Sequence, residues 1–265
     1  MKLPKMDACI WTKNGGNILA KCLDRFNAVV PQAVIHRKIM IDDHSVDDTR
    51  SIGKMRRWEV YMNSGNGIAD AANQALSMVS TDFFIALEQD ILLAENWFST
   101  VSNSIHADAK VASVQGIRYP SNSTLLAIYH DSDVEAHSID NNIFRTELIR
   151  EIGGFPKKCI LCTDSWLKLN VEAAGYKWII KPNVVSGHVR NGVRNELKHK
   201  YWQAKTCHCE IRRLSTHGEL HNLLYSPASG VRLAVRFGSP IALFAYPTLQ
   251  MLLFCAWLTN PTLRA

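Results

Sequence analysis

Short apolar runs alternate with helix-patterned segments along the first third of the chain, and this alternation restricts the fold more than any other feature. "ACIWT" (8–12) reads as a strand, "GNILAKCLDRFNAVV" as a helix, "HRKIMID" (36–42) as a strand and "DDTRSIGKMRR" as a helix. "WEVYMN" is again a strand, "IADAANQALSMV" a helix and "DFFIALEQD" (82–90) a strand. The strands are nearly continuous in apolar character, as expected when both faces of a sheet are covered by crossover helices. The pattern predicts an α/β fold with a mainly parallel central sheet, helices on both faces and a hydrophobic helical segment at the C-terminus. No internal repeat is visible, so a solenoid or propeller is excluded.

In such sheets ligands bind beyond the carboxyl ends of the strands. Three polar clusters fall there: Thr12 to Asn14 after the first strand, "DDHSVDD" after the second and Glu88-Gln89-Asp90 after the fourth. A strand-end carboxylate accepts hydrogen bonds from a base N–H or a ribose hydroxyl, which is the work expected of Asp42 and Asp43. Ser45, Asp47 and Asp48 read as a turn and a cap for the following helix. The acids of "LEQD" leave a buried strand and call for a cation or a solvated cleft, and a divalent ion bound to phosphate needs only one or two protein carboxylates.

With 265 residues, 47% of them hydrophobic, the chain can bury a sizeable core. Its net charge of +6 is uneven: residues 1–176 carry 18 basic and 21 acidic side chains, and residues 177–265 carry 12 and 3. A basic patch suits nucleic acid, but here it precedes "FGSPIALFAYPTLQMLLFCAWLTNPTL", which holds no charge and has roughly the length of a bilayer span. Membrane contact therefore ranks above nucleic acid, with Arg212, Arg213, Arg232 and Arg236 placed to meet anionic headgroups. Pro240, Pro247, Gln250 and Asn260-Pro261 weaken the spanning reading and leave a kinked or interfacial segment open beside it, a buried core helix or dimer contact being the other reading. The N-terminal "MKLPKMDACIWT" lacks a secretory h-region, so the expectation is cytosolic. Cys159, Cys162, Cys207, His208 and Cys209 include thiols and an imidazole able to hold zinc, but the single-residue gap between Cys207 and Cys209 favours buried or free thiols.

The order of "WTKNGGNILAKCL", "IDDHSVDDT", "NSGNGIADAANQAL" and "FFIALEQDILL" resembles the nucleotide-binding half of family 2 glycosyltransferases of the GT-A fold. The later "GGFPKKCILCTDSWLKLNVEAAGYKW" and "VSGHVR" resemble its acceptor half, so that the likeness covers about residues 7–195. The resemblance implies that Thr12, Asn14, Asp43 and Asp42 hold the nucleoside. It also implies that Asn66, Gly67 and Asn73 lie near the pyrophosphate and sugar, with Glu88, Gln89 and Asp90 in the place of the Asp-x-Asp motif. By the same likeness Asp90 and His188 are metal ligands for Mn²⁺ or Mg²⁺, and Asp164 is the catalytic base. The sequence departs from the family pattern at His44, usually glycine, at Glu88, usually Asp, and at Thr163, often Glu.

The expected division is a glycosyltransferase domain over 1–225, with a nucleotide half to about 100 and an acceptor half beyond, followed by a membrane-associated segment over 226–265. The implied partners are a UDP- or GDP-sugar donor and a polysaccharide, glycoprotein or lipid-linked acceptor, at the cytosolic face of a membrane. Two rivals stand beside this reading. Nucleotidyl transfer to a sugar phosphate ordinarily uses a Gly-rich basic loop after the first strand, which "TKNGGN" matches weakly. A tethered protein that binds sugar nucleotides without turnover would explain the altered "EQD" and "CTD" motifs.

Overall fold

The computed structural model describes residues 4–120, 122, 124–125, 137–159, 161–189, 192–206 and 216–259. Strands β1 (Met6–Thr12), β2 (Ile35–Asp42), β3 (Glu59–Met62) and β4 (Phe83–Glu88) are parallel and are joined by helices α1 (Gly16–Val29), α2 (Thr49–Met55) and α3 (Gly67–Met78). The chain continues through β5 (Ile91–Leu92), α4 (Trp97–Ile105), β6 (Val111–Pro120), β7 (Asn142–Arg145), α5 (Thr146–Glu151), α6 (Thr163–Ala173) and β8 (Lys177–His188). Helices α7 (Val193–Thr206), α8 (Thr216–Phe237) and α9 (Ala242–Thr259) follow.

The sheet runs β3-β2-β1-β4-β7-β6-β8-β5. Its first four strands form the expected parallel part, and β7 joins β4 antiparallel, so the whole is a mixed sheet. The strand order turns back between β1 and β4, the position where open α/β sheets bind ligands. Side-chain alternation along β1 divides the core. Ala8 and Ile10 face Leu19, Leu23, Phe26 and Trp97 on one side. Cys9 and Trp11 face Ala72, Leu76, Phe155 and Leu167 on the other.

On that second side Phe144 stacks on Phe84 at 5.3 Å and meets Phe155 and Trp178 edge-on at 5.8 and 5.4 Å. Truncating so buried a ring costs about 3–5 kcal/mol, which fixes β7 against β4 and holds the strand ends in place.

The chain divides into two compact units, Met1–Arg118 with Glu135–Val189, and Tyr119–Val134 with Arg190–Ala265. The first contains the sheet except for Tyr119 and Pro120 at the end of β6, and the second the three C-terminal helices. Cys207, His208, Cys209, Arg190, Arg212 and Arg213 lie outside the described residues, as does the Asn260-Pro261 pair.

Candidate active site

Register aligns the strand-end residues: Thr12 pairs with Asp42, and Trp11 with Glu88. Asp42 is fully buried; its Oδ2 accepts the Ser45 N–H at 3.0 Å and its Oδ1 the Thr12 hydroxyl at 3.4 Å. Asp43 accepts from Asn63 Nδ2 at 2.8 Å, from the Gly67 N–H at 3.0 Å and from Lys13 Nζ at 3.0 Å. Burial works against its charge, yet the donors from Lys13, Gly67 and Asn63 outweigh burial and hold the carboxyl below the usual carboxylate range. Asp43 is thus an ionised acceptor at the rim of the sheet.

The loops around this pair are tied to one another. The Asn14 N–H donates to Ser45 Oγ at 2.8 Å and its Oδ1 accepts from the Val46 N–H at 2.9 Å, so two hydrogen bonds join the first two strand-end loops. Gln89 pairs with the Lys13 peptide through both amide atoms, at 2.8 and 2.9 Å. Asn66 precedes α3 and is exposed; its N–H donates to Asp70 at 2.9 Å. Gly67 takes φ +77°, a left-handed conformation that glycine enters without a Cβ clash. The Asn73 amide holds the Phe155 backbone at both ends, donating to its oxygen at 2.7 Å and accepting from its N–H at 2.8 Å. His44, where the family pattern has glycine, still takes the left-handed conformation, with φ +60°. Its Nε2 lies 3.2 Å from the Gly65 oxygen.

Ser45 binds the first loop and does not cap α2. Asp48 occupies the N-cap position without a side-chain cap bond, and Asp47 instead accepts the Thr49 N–H at 3.1 Å.

A second cluster forms where β5 pairs with β8. Ile91 lies opposite His188, and the Val189 N–H donates to the Asp90 backbone carbonyl at 2.8 Å. This short rung brings His188 Nε2 to 3.1 Å from Asp90 Oδ2. Glu88, two residues before Asp90 at the end of β4, receives the Trp11 indole N–H at 3.3 Å. Withdrawal from water, the charge of Asp90 and that of Asp164 push its carboxyl up to about 7, against the pull of Arg118. Glu88, Asp90, Asp164 and Arg118 therefore share one electrostatic neighbourhood. Asp164 stands in the first turn of α6, half-buried; Cys162 is the cap, so Asp164 is not held in the capping position that its place before "SWLKLN" allowed.

Residues 7–165 match the sequence model of glycosyl transferase family 2. The chain belongs to that family. A relative, the O-antigen chain rhamnosyltransferase RfbN of Salmonella typhimurium, is 24% identical over 232 residues, which cover 77% of this chain and 72% of that one. The mannosyltransferase PcManGT of Pyrobaculum calidifontis, solved with GDP-Man and Mn²⁺, superposes with a TM-score of 0.63 at 19% identity, over 98% of this chain and 77% of that chain. Glucosyl-3-phosphoglycerate synthase of Mycobacterium tuberculosis, solved with Mn²⁺, UDP and glucosyl-3-phosphoglycerate, gives 0.53 at 16% identity, over 74% of this chain and 75% of the other. These likenesses show the GT-A fold, and membership in the family makes the protein a glycosyltransferase.

Two arginines take roles that only the structure assigns. Arg145 pairs in register with Phe83, at the far end of β4 from Glu88, and donates to the carbonyls of Ile105, Asp108 and Val111. It braces the sheet away from the family 2 site. Arg118, near the end of β6 and paired with buried Asp140, supplies positive charge beside Glu88. Its signal in the sequence was a lone cation before Pro120 at the end of an apolar run, and sequence reasoning passed over it.

The donor set at Asp90 and His188 fits a divalent ion. Carboxylate oxygen and imidazole nitrogen suit Mn²⁺, and the β5–β8 rung brings the two side chains within 3.1 Å of each other. Among the described residues no group of three or more His, Cys, Asp or Glu side chains converges on one point. An ion there would therefore complete its shell with water and donor phosphate, as Mg²⁺ and Mn²⁺ ordinarily do.

Proposed function

We propose that this enzyme is a metal-dependent, inverting glycosyltransferase that moves a sugar from a UDP- or GDP-linked donor to a hydroxyl or lipid-phosphate acceptor. The observation that carries it is His188 Nε2 at 3.1 Å from Asp90 Oδ2, just beyond the strand ends where Thr12 aligns with Asp42 and Trp11 with Glu88. Asp43, backed by Asp42, Thr12 and Asn14, receives a base or ribose donor. An ionised carboxylate accepts equally from uracil or guanine, and structural neighbours carry UDP in one case and GDP-Man in another. Asn66 and Gly67 shape the entry to α3 near the pyrophosphate, while Asn73, Glu88 and Gln89 keep the surrounding loops in register.

Asp90 and His188 would hold the Mn²⁺ or Mg²⁺, whose chemistry there is to offset charge on the departing diphosphate. The acceptor oxygen attacks the sugar C1 from the face opposite the diphosphate. As the new C–O bond forms, the old one breaks and the anomeric configuration inverts. The acceptor proton passes to the Asp164 carboxylate, which stands within the same charged neighbourhood as Glu88. No nucleophilic Ser or Cys takes part.

The acceptor class is polysaccharide, glycoprotein or lipid-linked glycan at the cytosolic face of a membrane. This reading is supported by the excess of 12 basic over 3 acidic side chains beyond residue 176 and by the charge-free helix α9. The test is a panel of UDP- and GDP-sugars, with Mn²⁺ or EDTA, scored for binding and for released product. The proposal expects metal-dependent release of nucleoside diphosphate from one base class. Release of pyrophosphate would assign nucleotidyl transfer, and binding without turnover in the presence of membrane lipid would assign a tethered binding protein.

A further inference from the structure

We propose that the α8–α9 hairpin lies in the plane of an anionic membrane surface, docking through an exposed face of α8 and not by spanning the bilayer. The proposal rests on the membrane-surface reading of the acceptor but not on the transfer chemistry.

Leu220, Leu224, Val231 and Val235 are 44%, 67%, 53% and 80% exposed. Steps of four, seven and four residues put them on one face of α8, with exposed Ala228 continuing the line. One position further round, His221, Tyr225, Arg232 and Arg236 form a neighbouring stripe that is also exposed. The opposite side is buried through Ser226 and Leu233. The single acid of α8, Glu219, is also buried, so every carboxylate-versus-cation choice on the exposed surface of this helix falls to cations.

Helix α9 packs along α8, with Gly230 so near the second helix that a Cβ there would sit 3.2 Å from Pro247 Cδ and 3.3 Å from the Ala242 oxygen. It has no charged residue, yet only 33% of it is buried. Phe244, Met251 and Leu258, seven residues apart, are 75%, 52% and 43% exposed. Apolar surface on both helices thus lacks cover within the described residues.

Lipid fits that surface better than a second copy of the chain. Exposed cations edge the α8 stripe and neither helix exposes an acid, a border whose charge matches anionic headgroups better than the same two helices of a second copy. An in-plane pose fits better than a span. The 18 residues of α9 reach about 27 Å, short of a hydrocarbon core, and they carry Pro247 and Gln250. An apolar stripe with a cationic and aromatic border is the pattern of a helix seated at the headgroup level.

The experiment is vesicle flotation of the full chain on neutral phosphatidylcholine and on vesicles containing phosphatidylglycerol. It compares Arg232→Glu/Arg236→Glu and Leu224→Asp/Val235→Asp with the parent, with melting curves confirming folding. Val235→Trp and Met251→Trp report depth through quenching by brominated lipids. The expected result is binding to anionic vesicles at least about tenfold stronger than to neutral ones, lost in both double variants, with shallow quenching of both reporters and unchanged donor hydrolysis. Equal binding to both vesicle types, quenching of Met251→Trp at the bilayer centre, or a dimer in solution that Val235→Asp dissociates would each overturn it. Flotation that persists while donor turnover is absent would leave this proposal standing and remove the transfer reading instead.

Discussion

His188 Nε2 lies 3.1 Å from Asp90 Oδ2, although the two are 98 residues apart in the chain. The contact exists because a two-residue strand, β5, pairs with the end of β8 and places Ile91 opposite His188. An imidazole and a carboxylate that meet this way either share a proton or share a cation. The proposed mechanism uses the second. His188→Ala is expected to raise the Mn²⁺ concentration for half-maximal donor turnover about tenfold or more, with turnover recovering in part at high Mn²⁺. A Mn²⁺ titration of donor hydrolysis reads this directly, and an unchanged midpoint would remove His188 from the ligand set.

Glu88 gives a pH-dependent prediction. Its proton is held up to about 7 in the folded protein, against 4.5 ordinarily. Between those values the folded state binds more protons than the unfolded one, so this residue's contribution makes stability fall as pH rises, and the loss is complete above about 7. Glu88→Gln removes the cost of ionising a half-buried carboxyl beside Asp90. In EDTA it is expected to raise stability by about 1–3 kcal/mol at pH 8 and to change it little at pH 5. Thermal melts at both pH values check this; an equal effect at both would mean that Glu88 titrates normally.

His44 carries left-handed backbone strain, with φ +60°. His44→Gly and His44→Ala both delete the imidazole, so their difference isolates the backbone. The glycine variant is expected to be about 1 kcal/mol more stable than the alanine variant. Equal denaturation midpoints would contradict the left-handed turn.

Asn73 has its amide committed to both ends of the Phe155 peptide and to the Ala69 oxygen. Asn73→Ala therefore leaves backbone groups unsatisfied and is expected to cost about 2 kcal/mol, read as a drop of several degrees in Tm. Donor affinity measured well below Tm is expected to stay within about threefold. A tenfold loss there would make Asn73 a direct sugar or phosphate contact.

The parallel half of the sheet was legible because each of its strands is an apolar run ended by an acid or amide, and because helices of the right length lie between them. The placement of Asp43 and Asp90 just past strand ends was legible for the same reason: a charge at the end of a buried strand has to be compensated. The antiparallel half was harder to read. Residues Ile91 and Leu92 carry no pattern that names His188 as partner, and the Asp140–Arg118 pair joins two segments with no common motif. The clamps made by Asn73 and Gln89 were also hidden, since an amide aimed at a backbone looks in sequence like one aimed at a ligand. The exposed stripe of α8 was present as Leu220, Leu224, Val231 and Val235 at helical spacing, but the charge-free run from Phe237 drew attention past it.

The central claim is that Asp90 serves the metal and the diphosphate while Asp164 serves the acceptor proton. Calorimetric binding of the cognate nucleoside diphosphate with and without Mn²⁺, paired with turnover, separates the two roles in Asp90→Ala and Asp164→Asn. The account predicts that Asp164→Asn keeps Mn²⁺-dependent binding within about threefold and loses turnover by about 10²-fold or more, whereas Asp90→Ala loses the Mn²⁺ dependence of binding itself. Full turnover in Asp164→Asn, or Mn²⁺-dependent binding that survives in Asp90→Ala, would contradict it.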